Sequence, residues 1–96
     1  MKRPLLMVSG GALDGEKFDV PEGGLRLGRS STNDIHIADE GLSRNHCLFE
    51  RDGEDAIRVI DLASANGTYV NGEMLGGDPR RLSPGDRIEA GGTAIL

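Results

Sequence analysis

The sequence has no tryptophan and only three aromatic residues, Phe18, Phe49 and Tyr69. That leaves little from which to build a stacking platform for bases or an aromatic cage for a cation. It has one cysteine, Cys47, which excludes an internal disulfide and a thiolate metal cage and leads us to expect a reducing, cytoplasmic setting. No apolar run approaches the roughly 20 residues of a membrane span. The stretch Leu5-Leu6-Met7-Val8 follows Met-Lys-Arg-Pro and stops at Ser9-Gly10-Gly11, too short for the core of a secretory signal. Eleven cations against sixteen anions give a net charge of −5, so neither nucleic acid nor a membrane surface is an expected partner. Lysine is scarce as well. Nine of the eleven cations are arginine, whose planar fork matches phosphate and carboxylate in two-point contacts, so a small local anion site stays open.

A chain of 96 residues is sized for one domain over residues 1–96, whether alone or as a piece of a longer protein. Folding would bury roughly two-thirds of its extended surface, enough for a modest core but not for an enclosed catalytic cavity, so a surface site is expected. Fifteen glycines and four prolines are spread along the chain, as many tight turns between short strands require. Strands are expected at about 4–8, 16–20, 25–28, 35–37, 45–51, 56–62, 68–70, 73–75, 80–82, 86–90 and 93–96, with no helical spacing. Eleven short strands with frequent turns imply an all-β fold, a sandwich of two sheets with binding loops at one edge.

Alternation supports this. Apolar residues fall at every second position in Lys17-Phe18-Asp19-Val20, Leu25-Arg26-Leu27, Ile35-His36-Ile37 and Ile57-Arg58-Val59. Between Asn45 and Arg51, Cys47 and Phe49 share a face, with Leu48 and His46 opposite, so Cys47 reads as a small core hydrophobe. Asp14-Gly15, Asp52-Gly53 and Asn71-Gly72 are hairpin dipeptides, and Ser83-Pro84-Gly85-Asp86 is a proline-led turn. His36 points to solvent, Arg80 and Arg81 form a solvated strand face, and Asp52, Glu54 and Asp55 form a charged hairpin tip.

Three segments carry more hydrogen-bonding side chains than a connection needs: Gly28-Arg29-Ser30-Ser31-Thr32-Asn33-Asp34, Gly41-Leu42-Ser43-Arg44-Asn45-His46, and Ala63-Ser64-Ala65-Asn66-Gly67-Thr68 running on to Asn71-Gly72. Brought to one edge of a sandwich, Arg29, Ser43, Arg44, Asn45 and Asn66 would converge on an anion receptor. A phosphate monoester offers about −1.5 to −2 charges and three acceptor oxygens, which suits arginine forks and a hydroxyl. Each hydrogen bond to such a charged group contributes roughly 1.5–3 kcal/mol, enough for a few together to overcome mild long-range repulsion.

These motifs resemble the signature of the forkhead-associated (FHA) domain. Ser43-Arg44-Asn45-His46 fits a bacterial Ser-Arg-x-His phrase, and Asp61 to Gly72 fits Asp-Leu-x-Ser-x-Asn-Gly-Thr-Tyr-Val-Asn-Gly. The resemblance implies an FHA/SMAD-like β-sandwich, a non-catalytic signalling or scaffold module that binds phosphothreonine in a partner protein of a Ser/Thr kinase pathway. By that pattern Arg29, Ser43 and Arg44 contact phosphate, Asn66 and Asn45 contact the peptide, and Gly28, His46, Gly67, Thr68, Asn71 and Gly72 shape the loops. It implies a monomeric domain with no metal and no cofactor. Where many relatives carry a second hydroxyl before Asn-Gly, this chain has Ala65, which removes one contact.

Two other readings remain. The chain could be an FHA-like scaffold that associates with a partner or with itself without phosphate. An enzyme would use Ser43 as nucleophile and His46 as base, but no orienting carboxylate or oxyanion loop accompanies them.

Overall fold

Short segments that are apolar at every second residue cannot bury that face alone, and here they do so by closing one sheet over another. The computed structural model describes residues 5–9, 13–53 and 56–95, with 93 and 95 by backbone alone. Among these residues there are eleven strands: β1 (Leu5–Ser9), β2 (Lys17–Asp19), β3 (Leu25–Gly28), β4 (Ile35–His36), β5 (Cys47–Arg51), β6 (Ile57–Asp61), β7 (Thr68–Val70), β8 (Glu73–Met74), β9 (Arg80–Arg81), β10 (Ile88–Ala90) and β11 (Thr93–Ile95). The expected strand ends at Pro4 and Leu96, and the hairpin-tip residues Glu54 and Asp55, lie outside the described residues.

One sheet has the order β2-β1-β11-β10-β7-β8 and the other β4-β3-β5-β6-β9. Their facing sides hold the core: Leu6, Leu25, Leu27, Ile35, Phe49, Val59, Val70 and Ile88 are all buried. Cys47 is wholly buried too, and that burial, with the negative charge of Asp61 behind it, pushes its thiol up to about 12. It is an inert core side chain, as its alternation with Phe49 implied.

The turns follow their residues. Asn71 and Gly72 both take positive φ (52° and 86°), which a two-residue hairpin loop between Val70 and Glu73 requires. Ser83 to Asp86 closes with Asp86 N–H donating to Ser83 O at 3.0 Å and Gly85 at φ 89°.

Two features depart from simple alternation. β3 and β4 pair in parallel, Leu27 opposite Ile35 and Gly28 opposite His36. A parallel connection normally takes a dozen or more residues, but residues 29–34 return the chain beside β3 without crossing a sheet face, and Asp34 Oδ2 ties the return by accepting from Arg26 N–H at 2.9 Å. Second, β5 begins at Cys47, two residues later than expected. His46 therefore does not share the outer face with half-buried Leu48; its side chain is wholly buried at the sheet's end.

Truncating the largest fully buried side chain tests this core. Phe49→Ala should lower the unfolding free energy by about 3–5 kcal/mol. Urea denaturation checks it, and a loss below about 1 kcal/mol would mean that the two sheets do not close over this ring.

Candidate anion-binding site

The registers Leu27↔Cys47 and Cys47↔Asp61 place the end of β3, the start of β5 and the end of β6 at one end of the sandwich. The loops 29–34, 37–46 and 62–67 leave from that end, so the three polar segments of the sequence meet there.

They are joined through backbone. Arg29 N–H donates to Ser43 O (3.0 Å) and Ser30 N–H to Arg44 O (3.1 Å), stitching the first loop to the second. Asn33 reinforces the stitch: its buried Nδ2 donates to Ser30 O at 2.9 Å and to Arg44 O at 2.6 Å. Gly28 makes the approach possible. A Cβ at this position would lie 2.2 Å from Arg44 O and 2.8 Å from Asn33 Nδ2, so no other residue fits without parting the loops.

His46 joins the second loop to the third. Its Nδ1 accepts from Ser43 N–H (3.0 Å), which places the ring proton on Nε2, and Nε2–H donates to Gly67 O (2.8 Å). Asp61 holds the third loop from below. Its Oδ1 accepts from Ser64 Oγ–H (2.5 Å) and Thr68 Oγ1–H (2.7 Å), and its Oδ2 from Ser64 N–H (3.1 Å). Partial burial pushes this carboxyl up, but the bonds from Ser64 and Thr68 outweigh it and hold the group below the usual carboxylate range. Ser64 Oγ in turn accepts from Gly67 N–H at 3.0 Å. At the far side of the second loop, Asp39 accepts from Gly41 N–H (2.8 Å) and Gly92 N–H (2.7 Å), bonds that hold its carboxyl low as well.

On this frame the candidate ligand groups stand outward. Arg29 is exposed, and its Nε donates to Leu42 O at 3.2 Å; that bond anchors the guanidinium to the residue before Ser43 and leaves the terminal nitrogens without a partner among the described residues. Ser43 Oγ accepts from Ala65 N–H at 2.8 Å, so its own proton is available to an acceptor outside. Arg44 and Asn45 are exposed, with no side-chain bond among the described residues. Asn66 spends one amide hydrogen on Gly41 O (2.9 Å) and keeps its other N–H and its Oδ1.

The structure thus brings Arg29, Ser43, Arg44, Asn45 and Asn66 to one end, with Gly28, His46, Gly67 and Thr68 beneath them. Asn71 and Gly72 are elsewhere. β7 carries the chain from Thr68 about 10 Å to the opposite end. There Asn71 donates Nδ2–H to Asp86 Oδ1 and accepts from Arg87 N–H, both at 2.9 Å, bracing the far turns and not the site. Sequence reasoning missed Asn33, Asp39, Asp61 and Ser64 as framework residues. The signal was present for two of them: Asp39 two residues before Gly41 and Asp61 three before Ser64 are local side-chain-to-backbone patterns.

Two consequences can be measured. Gly28→Ala should cost about 2 kcal/mol or more, because the new methyl displaces a backbone carbonyl; unchanged stability would mean that the loops are not in contact. Asp61 has a folded pKa below its usual 3.8, so its contribution is present above that pH and is lost as pH falls through the lower folded value. The stability gap between the native chain and Asp61→Ala should therefore be full at pH 7 and shrink in acid below pH 3.8. A gap independent of pH would exclude the carboxylate as the source.

Comparison with known proteins agrees with this geometry. The sequence model of the FHA domain matches residues 25–91. The chain is 39% identical over 87 residues to an oxoglutarate dehydrogenase inhibitor of Corynebacterium jeikeium (strain K411), covering 91% of this chain and 58% of that protein. It is 36% identical over 87 residues to the glycogen accumulation regulator GarA of Mycolicibacterium smegmatis, covering 91% and 53%. The chain thus spans little more than half the length of these relatives. Among solved structures, the FhaA FHA domain complexed with the intracellular domain of Rv3910 superposes with a TM-score of 0.83 at 30% identity, over 96% of both chains. The FHA domain of CT664 from Chlamydia trachomatis superposes at 0.86 with 26% identity, over 96% of this chain and 92% of that one. The chain belongs to the FHA domain family.

Proposed function

We propose that this domain binds phosphothreonine-containing segments of a partner protein at the end formed by loops 29–34, 37–46 and 62–67. The observation that carries the reading is the pair of bonds that orient its donors: Arg29 Nε on Leu42 O and Ala65 N–H on Ser43 Oγ. They anchor a guanidinium and a hydroxyl at neighbouring positions of the second loop, Leu42 and Ser43, and leave both with protons that have no protein acceptor among the described residues. A phosphoryl dianion, which only accepts, supplies what both need. Arg44 adds positive charge, and Asn66 and Asn45 offer amide groups to the peptide main chain. Solved relatives support the ligand class: one is an FHA domain studied for phosphothreonine-dependent interactions, at 30% identity and TM-score 0.83, and EmbR is in complex with a phosphopeptide, at 25% identity and TM-score 0.82.

The role is one of binding, not of catalysis. His46 spends Nδ1 on Ser43 N–H and Nε2–H on Gly67 O, so no ring nitrogen is left to act as base toward the Ser43 hydroxyl. We place the domain as a single unit in the reducing cytoplasm, where its one cysteine stays a free thiol.

The test is binding of a phosphothreonine peptide pool, followed by fluorescence anisotropy. Arg29→Ala should weaken it by about 10- to 100-fold, the loss of one or more charge-assisted bonds, with the circular dichroism spectrum and unfolding midpoint unchanged. Ser43→Ala should weaken it as well. Equal binding by the Arg29 variant, or equal binding of unphosphorylated peptides, would favour a scaffold that recognises its partner without phosphate.

A further inference from the structure

Two of the side chains assigned to the ligand hang from adjacent carbonyls of the second loop: Asn66 Nδ2–H donates to Gly41 O (2.9 Å) and Arg29 Nε–H to Leu42 O (3.2 Å). Different residues fix these two carbonyls. A peptide unit is planar, so Leu42 O turns with Ser43 N–H, which His46 Nδ1 holds at 3.0 Å. Gly41 O turns with Leu42 N–H, which the Asp39 carbonyl holds at 3.0 Å. The Asp39 carboxylate tightens the same turn. Its Oδ1 accepts from Gly41 N–H (2.8 Å), and its Oδ2 crosses 53 residues of sequence to Gly92 N–H (2.7 Å), in the two-residue turn between β10 and β11. Backbone meets backbone beneath it. A Cβ on Gly41 would lie 3.0 Å from Gly91 Cα, and one on Gly91, where φ is 58°, would lie 3.0 Å from the Gly41 carbonyl carbon.

Resting on the phosphothreonine reading above, we propose that Asp39 is a positioning residue of the peptide site: by seating residues 39–42 on the Gly91–Gly92 turn it sets Gly41 O, and through that carbonyl the amide of Asn66. The turn between β10 and β11 is then a fourth element of the site, although it offers no group to the ligand. A carboxylate suits the task because it only accepts, with one oxygen for each N–H. An amide in its place would keep one acceptor and turn an NH2 toward the other N–H. Bonds to an ionised acceptor are also roughly twice as strong as neutral ones, which fits a contact between segments so far apart in the chain. A negative charge on the loop that carries Ser43 and Arg44 opposes a phosphate, and the bonds to Gly41 and Gly92 account for its presence there. Without them Asn66 would have to be ordered at the moment of binding, and part of its contact with the peptide would be lost to that ordering. Arg29 would be spared, since its own acceptor is fixed through His46.

The experiment is a pair of double-mutant cycles, read by anisotropy with a degenerate phosphothreonine peptide pool and its unphosphorylated counterpart, at a temperature where every variant is folded by circular dichroism. Asp39→Ala should weaken phosphopeptide binding by about three- to tenfold, the cost of ordering one freed side chain. In the Arg29→Ala background the same change should cost the same factor; in the Asn66→Ala background it should cost less than about twofold, because its outlet is gone. Asp39→Asn should fall between the native domain and Asp39→Ala, and it carries the same two cycles if the alanine variant does not fold. Asp86→Ala is the control. Asp86 makes a similar turn bond, from Ser83 N–H at 2.7 Å, at the opposite end of the sandwich, so its loss should lower the unfolding midpoint and leave affinity unchanged. If Asp39→Ala binds as the native domain does, or loses the same factor with and without Asn66, the positioning role is wrong while phosphate recognition, read by Arg29→Ala, stands. If the native domain does not distinguish the two pools, phosphate recognition and the role of Asp39 in it fall together.

Discussion

Every polar group of His46 is spent, and each on a different part of the molecule. Its backbone N–H goes to Leu27 O at the end of β3 and its carbonyl accepts from Leu62 N–H after β6, both at 2.9 Å. Its ring takes Ser43 N–H on one nitrogen and gives a proton to Gly67 O from the other. A wholly buried imidazole with both nitrogens bonded loses nothing to desolvation that its partners do not return, whereas removing any one partner would strand a polar atom away from water. The ring thus fixes the second loop against the third from beneath, and a sheet end that would otherwise fray becomes a rigid platform.

That rigidity separates two populations of donors. Backbone amides at the site end are largely consumed internally, by carbonyls in the first and second loops and by Asp39, Asp61, Ser43 and Ser64 around them. The side-chain ends of Arg29, Ser43 and Arg44, and the second amide hydrogen of Asn66, are not. Binding then requires little ordering of the receptor, so less of each contact is offset by lost freedom. The net charge of −5 opposes an anion only at long range, where salt screens it within about 8–10 Å, while the two guanidiniums act at contact distance. Local placement decides the sign of the interaction.

Strands and turns were legible because their causes are local. Leu25-Arg26-Leu27 and Ile57-Arg58-Val59 bury every second residue, and Asn71-Gly72 supplies the two positive φ angles its turn needs. That Arg29, Ser43 and Asn66 meet at one end was legible because polar residues had gathered where a plain loop has no use for them. What was hidden depends on contacts distant in sequence. Asp39 bonds Gly92 across 53 residues and Asn33 bonds Arg44 across 11, and neither reach is written in the residue type. Asn71 shared a motif with the site residues and so was assigned to their loops, but three extended residues are enough to carry it to the other end. The exposure of Met74 was hidden for the same reason: a two-residue edge strand has too few positions for alternation to say which face is wet.

Ala65 shows how backbone can stand in for a side chain. Its methyl offers nothing to a phosphate, yet its N–H, donated to Ser43 Oγ, occupies one lone pair of that hydroxyl and holds the oxygen in place. A serine hydroxyl has two acceptor lone pairs and one proton, and occupying a lone pair from the loop side leaves the proton free for an acceptor outside. A hydroxyl at position 65 would add a donor of its own but would leave that bond unchanged, because the bond belongs to the main chain. The third loop is therefore committed to orienting Ser43 through Asp61, Ser64 and Gly67, whatever side chain stands at 65, and the groups facing outward remain predominantly donors. A ligand rich in acceptors and poor in donors is the one that such a surface fits.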